Sequence, residues 1–188
     1  MAKVLEHIDE DVRAFIAAQH LYFVATAPSG SDGHINLSPK GHADTFRVVD
    51  DRTVAYLDLT GSGAETAAHL RDNGRITVMF AAFDGRPNIL RLFGVGRVVP
   101  VGKPEYDGLI SLFPARTGAR GVIVVDVTRV QTSCGFAVPY FDYVGERDLL
   151  EAWAETREGA RLTAYRAEKN AHSIDGLPAY DPAVASGS

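Results

Sequence analysis

The chain has 188 residues, 46% of them hydrophobic and 23% charged, with a formal net charge of -5. That length suits one well-buried core rather than two, and the composition is that of an ordinary globular domain, with no internal repeat or low-complexity tract. The negative balance and the lack of any Lys/Arg stripe argue against nucleic-acid binding, which needs cations clustered on the phosphate backbone. A single cysteine, Cys134, excludes an intramolecular disulfide. The acidic start Asp9-Glu10-Asp11 has no apolar run behind it and does not read as a signal peptide. No stretch reaches transmembrane length, so a cytoplasmic protein without membrane contact is expected.

Asp9 is placed to cap a helix that carries Val12, Phe15, Ile16 and Gln19 at helical spacing. Leu21 to Thr26 is a short β-type run, Ala27 to Gly33 a turn cluster, and His34 to Lys40 the returning strand. Thr45 to Val49 and Thr53 to Leu59 follow as strands across Asp50-Asp51-Arg52, and this first half predicts a meander. Ala64 to Asn73 predicts a short helix with an Asn73-Gly74 exit. Arg75 to Phe83 and Asn88 to Val101 predict two strands on either side of Asp84-Gly85-Arg86-Pro87, the second bending at Gly94 and Gly96. Pro104 to Phe113 predicts another helix, and Gly121 to Gln131 is the strongest strand of the chain.

Mostly sequential strands with only short helices between them predict a mainly β, α+β protein built on an antiparallel barrel of about six strands. From Gly145 the pattern turns helical, with Leu149, Leu150 and Trp153, then Leu162 and Tyr165, on a segment ending near Asn170. A single domain over 1–180 is expected, with the barrel at about 9–131, the helical tail at about 145–180 and a disordered end at 181–188.

Two points on this chain carry chemistry. Asn36-Leu37-Ser38-Pro39-Lys40-Gly41 ends a strand, and Leu59-Thr60-Gly61-Ser62-Gly63-Ala64-Glu65-Thr66 opens a helix. Their hydroxyls, glycines and lysine are of the kind that converge on an anion, because the N–H groups of a first helical turn lack intrahelical partners. The plainer reading has Thr60 or Ser62 capping the helix and Lys40 solvated. Neither Gly94-Val95-Gly96 nor Gly61-Ser62-Gly63 completes a dinucleotide fingerprint. The six histidines show no zinc-ligand spacing, so no metal is expected; each reads as a surface residue, with His34 and His42 flanking the site. Cys134 has no identifiable base and reads as a small buried hydrophobe, and Trp153 reads as a core or dimer-interface residue. No catalytic residue is assigned.

The order strand, Asn-Leu-Ser-Pro-Lys-Gly, strand, Thr-Gly-Ser, short helix, Asn-Gly-Arg-Ile-Thr-Val-Met-Phe, turn, Leu-Arg-Leu-Phe-Gly resembles the pyridoxamine 5'-phosphate oxidase-like split barrels over roughly Asp9 to Val130. The resemblance implies a six-stranded antiparallel split β-barrel of the FMN-binding type with C-terminal helices. It also implies a homodimer with cofactor sites at the interface and an oxidoreductase acting on a small molecule. Carried over by position, Ser38 and Lys40 lie near the flavin phosphate or ribityl chain, and Thr60, Ser62 and Thr66 line its phosphate side; Asn36 is a candidate hydrogen-bonding group near the flavin ring, and Arg91, with Lys40, a candidate to replace the family's phosphate-binding cations. Arg166, Lys169 and Asn170 approach from the tail of the other subunit. True pyridoxamine phosphate oxidases carry an Arg-Lys pair where Glu65-Thr66 stand here, so vitamin B6 oxidation is not implied. FMN is the cofactor expected, with a deazaflavin, haem or none as alternatives. A protein that stores or senses such a ligand without turnover is the alternative function, as is a barrel that has lost its cofactor.

Overall fold

The computed structural model describes residues 2–181. Eight antiparallel strands form one sheet: β1 (Lys3–Leu5), β2 (Tyr22–Thr26), β3 (Asn36–Lys40), β4 (Phe46–Val48), β5 (Thr53–Leu59), β6 (Arg75–Ala81), β7 (Ile89–Pro100) and β8 (Ala119–Ser133). Six of these have five residues or more; β1 and β4 are three-residue strands. The helices are α1 (Glu10–Ala17), α2 (Glu65–Asp72), α3 (Pro104–Ile110), α4 (Leu149–Glu155) and α5 (Ala160–Lys169). The split-barrel architecture expected from the sequence is therefore the observed one. The expected disordered end, 181–188, lies outside the described residues except for Asp181.

The strand order is β3-β2-β6-β7-β8-β5-β4, with β1 added on β8. The first half is thus two hairpins, β2-β3 and β4-β5, rather than a meander, because β5 pairs with β8 and α2 carries the chain across to β6. Edge strands β3 and β4 are joined only by residues 41–45, and such a link spans at most about 20 Å. Seven flat strands would hold those edges about 29 Å apart. The sheet therefore has to curl, bringing β3 and β4 near each other without pairing.

Local sequence explains the start of α1. Asp9 caps α1 through its side chain, which accepts from the Val12 N–H at 2.9 Å, and Val12 and Ile16 face the core. Inside the curl, Val24, Tyr56, Phe80, Leu90, Leu92 and Ile123 form the centre of the main apolar cluster. A second cluster lies under α3, around Leu57, Val99 and Phe113. The alanine face of α2 (Ala64, Ala67, Ala68) is covered by Ala179 and Tyr180 from the end of the chain. This last contact makes the C-terminal segment part of the domain core.

The bend expected in β7 is a register shift between Phe93 and Gly94. A Cβ at Gly94 would run into the Asp126 carbonyl oxygen, a backbone atom that cannot rotate away. Gly94→Ala is expected to lower stability by about 1–3 kcal/mol, read as a lower urea midpoint at unchanged slope. Gly30→Ala, where a Cβ meets nothing within 4 Å, is the control and should be neutral.

Candidate functional site

Strand β3 is inside out. Its apolar Leu37 is 66% exposed, whereas Asn36, Ser38 and Lys40 alternate with it on the concave side. Pairing with β2 sets Asn36 opposite Thr26, Ser38 opposite Val24 and Lys40 opposite Tyr22. A polar row turned inward costs stability unless each group finds a partner. The Ser38 hydroxyl donates to Asn36 Oδ1 at 2.9 Å, and Asn36 Nδ2 donates to Thr26 Oγ1 and Thr66 Oγ1, each at 3.1 Å. Thr26 Oγ1 in turn lies 2.9 Å from His69 Nδ1. His69 is fully buried on α2, contrary to the surface reading, because its helix face packs on β2. Burial holds its imidazole below the usual histidine range, so it is neutral at pH 7, and its Nε2 has no partner among the described residues.

Lys40 leads to a second, charged cluster. Asp58, at the end of β5, is 1% exposed. Its Oδ2 accepts from Arg120 Nε at 2.8 Å and from the Tyr180 hydroxyl at 2.6 Å; Lys40 Nζ stands 3.9 Å from Oδ1. Burial pushes the Asp58 carboxyl up, but Arg120 and Lys40, with the hydrogen bonds from Arg120 and Tyr180, outweigh it and hold the group below the usual carboxylate range. Because the folded value lies below the unfolded one, Asp58 contributes stability above the ordinary carboxylate pKa of about 4 and loses it as pH falls through its own depressed value. The urea midpoint should therefore fall steeply below about pH 4. A flat profile there would show that the carboxylate is not held ionised.

The loop Thr60–Gly63 is held from behind by the tail. Thr60 Oγ1 donates to the Gly118 carbonyl at 2.8 Å and accepts from Arg166 Nε at 2.8 Å. Asn170 Nδ2 donates to the Gly61 carbonyl at 2.9 Å, and Arg120 Nη1 to the Gly63 carbonyl at 2.8 Å. Neither Thr60 nor Ser62 caps α2: the N-cap is Ala64, with no side-chain hydrogen bond. Glu65 folds back beside Gly63, and its carboxylate accepts from the Ile174 N–H at 3.3 Å. The turn carrying Ile174 is tied again at Asp175, which accepts from the His34 backbone N–H at 2.8 Å and lies 2.6 Å from its Nδ1.

Of the residues singled out in the sequence, Asn36, Ser38 and Thr66 thus share one network, and Lys40, Thr60 and Asn170 border the adjoining charged cluster. Ser62 is exposed at the loop's tip. Arg91 is not with them: its neighbours Leu90 and Leu92 face the core, so it projects from the outer face of the sheet, where Nη1 donates to Ser133 Oγ at 3.0 Å. Lys169 is half-exposed and pairs with Glu168 at 2.8 Å. His34 and His42 do stand at the margins, paired with Asp175 and Glu146. Cys134 is exposed rather than buried, and Trp153 is half-buried against Tyr165, their rings 4.8 Å apart. Thr26, Asp58, His69, Arg120 and Tyr180 were not legible as site residues. The available signal was an aspartate and an arginine inside otherwise apolar strands.

What this arrangement can hold follows from charge and space. Lys40, Arg120 and Arg166 face Asp58 and Glu65, and Asp181 lines the same cavity as the two arginines, so the charges balance. Both arginines are fixed by short bonds, whereas the Lys40 ion pair is longer than a hydrogen bond. Its ammonium, with three donors on a flexible stem, is the group suited to an incoming anion. The cavity between tail and loop, lined by Arg120, Arg166, Asn170 and Tyr180, has about 20 Å³, room for one water. On the outer side of the loop, Thr60, Gly61 and Ser62 border an open groove of about 380 Å³ with Leu149, Leu150, Trp153 and Tyr165, within the range of small-molecule sites. The Lys40 ammonium and the hydroxyl- and glycine-bearing loop are donors of the kind a phosphate-bearing ligand needs, although Lys40 itself does not line the groove. Among the described residues, no group of three or more His, Cys, Asp and Glu could hold a metal ion, and no helix is long and apolar enough to cross a membrane.

Two crystal structures of HupZ from Group A Streptococcus share this fold at 24% identity. One has a TM-score of 0.53 and covers 67% of this chain and 99% of its own; the other has a TM-score of 0.51 and covers 65% and 91%. A pyridoxamine 5'-phosphate oxidase family protein, UstO of Aspergillus flavus, is 40% identical over 195 aligned positions, 95% of this chain and 78% of the relative. The family signature described as pyridoxamine 5'-phosphate oxidase matches residues 8–134, the whole curled sheet apart from β1. With the split barrel, the inward polar row and these matches together, the chain belongs to the pyridoxamine 5'-phosphate oxidase family.

Proposed function

We propose that the protein binds FMN and acts as an oxidoreductase on a small molecule, as a homodimer with the cofactor at the subunit interface. The observation that carries this reading is Lys40, an inward-facing lysine beside the Thr60–Gly63 loop whose only ion pair among the described residues, at 3.9 Å, is longer than a hydrogen bond and leaves its donors available to a phosphate. Asn36, Ser38, Lys40, Thr60, Ser62, Thr66 and Asn170 are the residues assigned to the site within one subunit. Arg91 and Lys169 face away from it and are assigned to the cofactor of the opposing subunit. The dimer reading draws on exposed apolar side chains, Ile35 just before edge strand β3, Leu37 on it, and Phe136, Phe141 and Val144 on the segment after β8.

The flavin supplies the electron transfer when bound; the protein's task is to bind and orient it and to keep water from the reacting face. The neutral His69 and the Ser38-Asn36-Thr26 chain hold β3 and α2 in fixed relation without placing a charge near the ring. Glu65, which stands where an anion-binding cation is expected in the family, is occupied in holding the Ile174 turn. Vitamin B6 oxidation is accordingly not part of the proposal.

The test is the visible spectrum of the protein as purified, followed by titration with FMN, a deazaflavin and haemin, and then anaerobic reduction by nicotinamide donors. Stoichiometric FMN that is reduced and reoxidised supports the reading in full. Bound flavin that no donor reduces would favour a storage or sensing protein, and preference for deazaflavin or haemin would replace the cofactor.

A further inference from the structure

The C-terminal segment, residues 166–181, crosses the back of the Thr60–Gly63 loop and ends with Tyr180 on Asp58. Its contacts are Arg166 on Thr60, Asn170 on the Gly61 carbonyl, the Ile174 N–H on Glu65, and the Tyr180 hydroxyl on Asp58. The strap is itself locked, since the Tyr180 N–H donates to the Asn170 carbonyl at 3.0 Å and the Tyr180 ring lies 5.1 Å from the Arg120 guanidinium.

We propose that Tyr180 is a positioning residue of the anion site: its hydroxyl satisfies Asp58 so that Lys40 remains available to a phosphate. This rests on the FMN reading above.

Donor supply links the two side chains. An ionised carboxylate buried to 1% exposure needs several donors. Asp58 Oδ2 has two short bonds, from Arg120 and Tyr180, but among the described residues Oδ1 has only Arg120 Nη2 at 3.5 Å and the Lys40 ammonium at 3.9 Å. Arg120 already turns its Nε and Nη2 edge to Asp58, and its Nη1 is directed to the Gly63 carbonyl. Without the Tyr180 hydroxyl, the nearest mobile donor is Lys40. Its flexible stem lets it close on the carboxylate, and an ammonium engaged there is withdrawn from an anion outside. The strap thereby couples the end of the chain to phosphate affinity through a single hydroxyl.

Tyr180→Phe removes that hydroxyl and keeps the ring over Arg120. Two readouts separate the coupling from the cofactor reading. In the first, without ligand, acylation of Lys40 by a small amine-reactive ester is followed by mass spectrometry. Slower labelling in Tyr180→Phe, about threefold or more, is expected as Lys40 closes on Asp58. Unchanged or faster labelling, as when a water takes the place of the hydroxyl, overturns the proposal whatever the cofactor does.

In the second, FMN and riboflavin dissociation constants are measured for wild type, Tyr180→Phe, Lys40→Ala and the double variant. Tyr180→Phe should weaken FMN about fivefold to tenfold, the loss of roughly one hydrogen bond, and leave riboflavin unchanged. The double variant should match Lys40→Ala alone. Equal weakening of both ligands, or additive losses, overturns the proposal in favour of a purely structural tyrosine. Slower labelling in a protein whose wild type does not distinguish FMN from riboflavin supports the Tyr180–Lys40 coupling and removes the phosphate reading instead.

Discussion

Asp58→Asn should destabilise the fold by about 3–5 kcal/mol, the cost of leaving a buried charge without its partner. Arg120 is the charge in question: it is 7% exposed and its other bond, to the Gly63 carbonyl, cannot neutralise it. Burial alone would lower the arginine's pKa, yet Asp58 raises it, so the guanidinium stays charged at every accessible pH. For a chain of this length the loss corresponds to a fall in Tm on the order of 10 °C. The pair itself is not an unconditional gain, since two buried ions also cost solvation. Asp58→Leu with Arg120→Met should therefore recover much of the loss. A double variant as unstable as Asp58→Asn would show that the Tyr180 and Gly63 bonds, rather than the ion pair, carry the stability. A single variant within about 0.5 kcal/mol of wild type would mean that water already reaches the cluster.

This cluster also marks where the sequence stopped being readable. Elements set by local rules were visible: Asp9 as a cap, Gly94 as the bend of β7, and the β-type run of β2. The pairing of β5 with β8 was not, because both Val54–Leu59 and Gly121–Val125 are apolar on both faces and an apolar run accepts several neighbours. Asp58 and Arg120 each break such a run once, on adjacent strands, and their pairing is what a charge inside a buried strand demands. Separations in sequence of 62 and 122 residues kept Arg120 and Tyr180 from being associated with Asp58. Thr60 misled for a related reason. Its position before α2 suits a cap, but a partner 106 residues away, Arg166, takes its hydroxyl oxygen. His69 was hidden by helix phase: α2 buries residues 66–70 in an unbroken run, so no polar face distinguished it.

Lys40→Ala should weaken FMN binding tenfold to a hundredfold, roughly 1.5–3 kcal/mol for one charge-assisted hydrogen bond, and leave riboflavin affinity nearly unchanged. The variant is a clean test because Asp58 keeps both of its short bonds, from Arg120 and Tyr180, when the lysine is gone. The fold should persist, and a near-native urea midpoint would confirm that any loss of affinity is local. The effect should also shrink as salt rises, since the side chain is 26% exposed and its field is partly screened. Glu65 sets the upper limit. Its carboxylate lies beside the same loop, so removing Lys40 leaves a phosphate facing Arg120 and Arg166, both engaged, and one carboxylate that repels it. If Lys40→Ala binds FMN as tightly as wild type, the lysine serves Asp58 alone, and the phosphate must be held by backbone N–H groups of the Gly61–Gly63 turn.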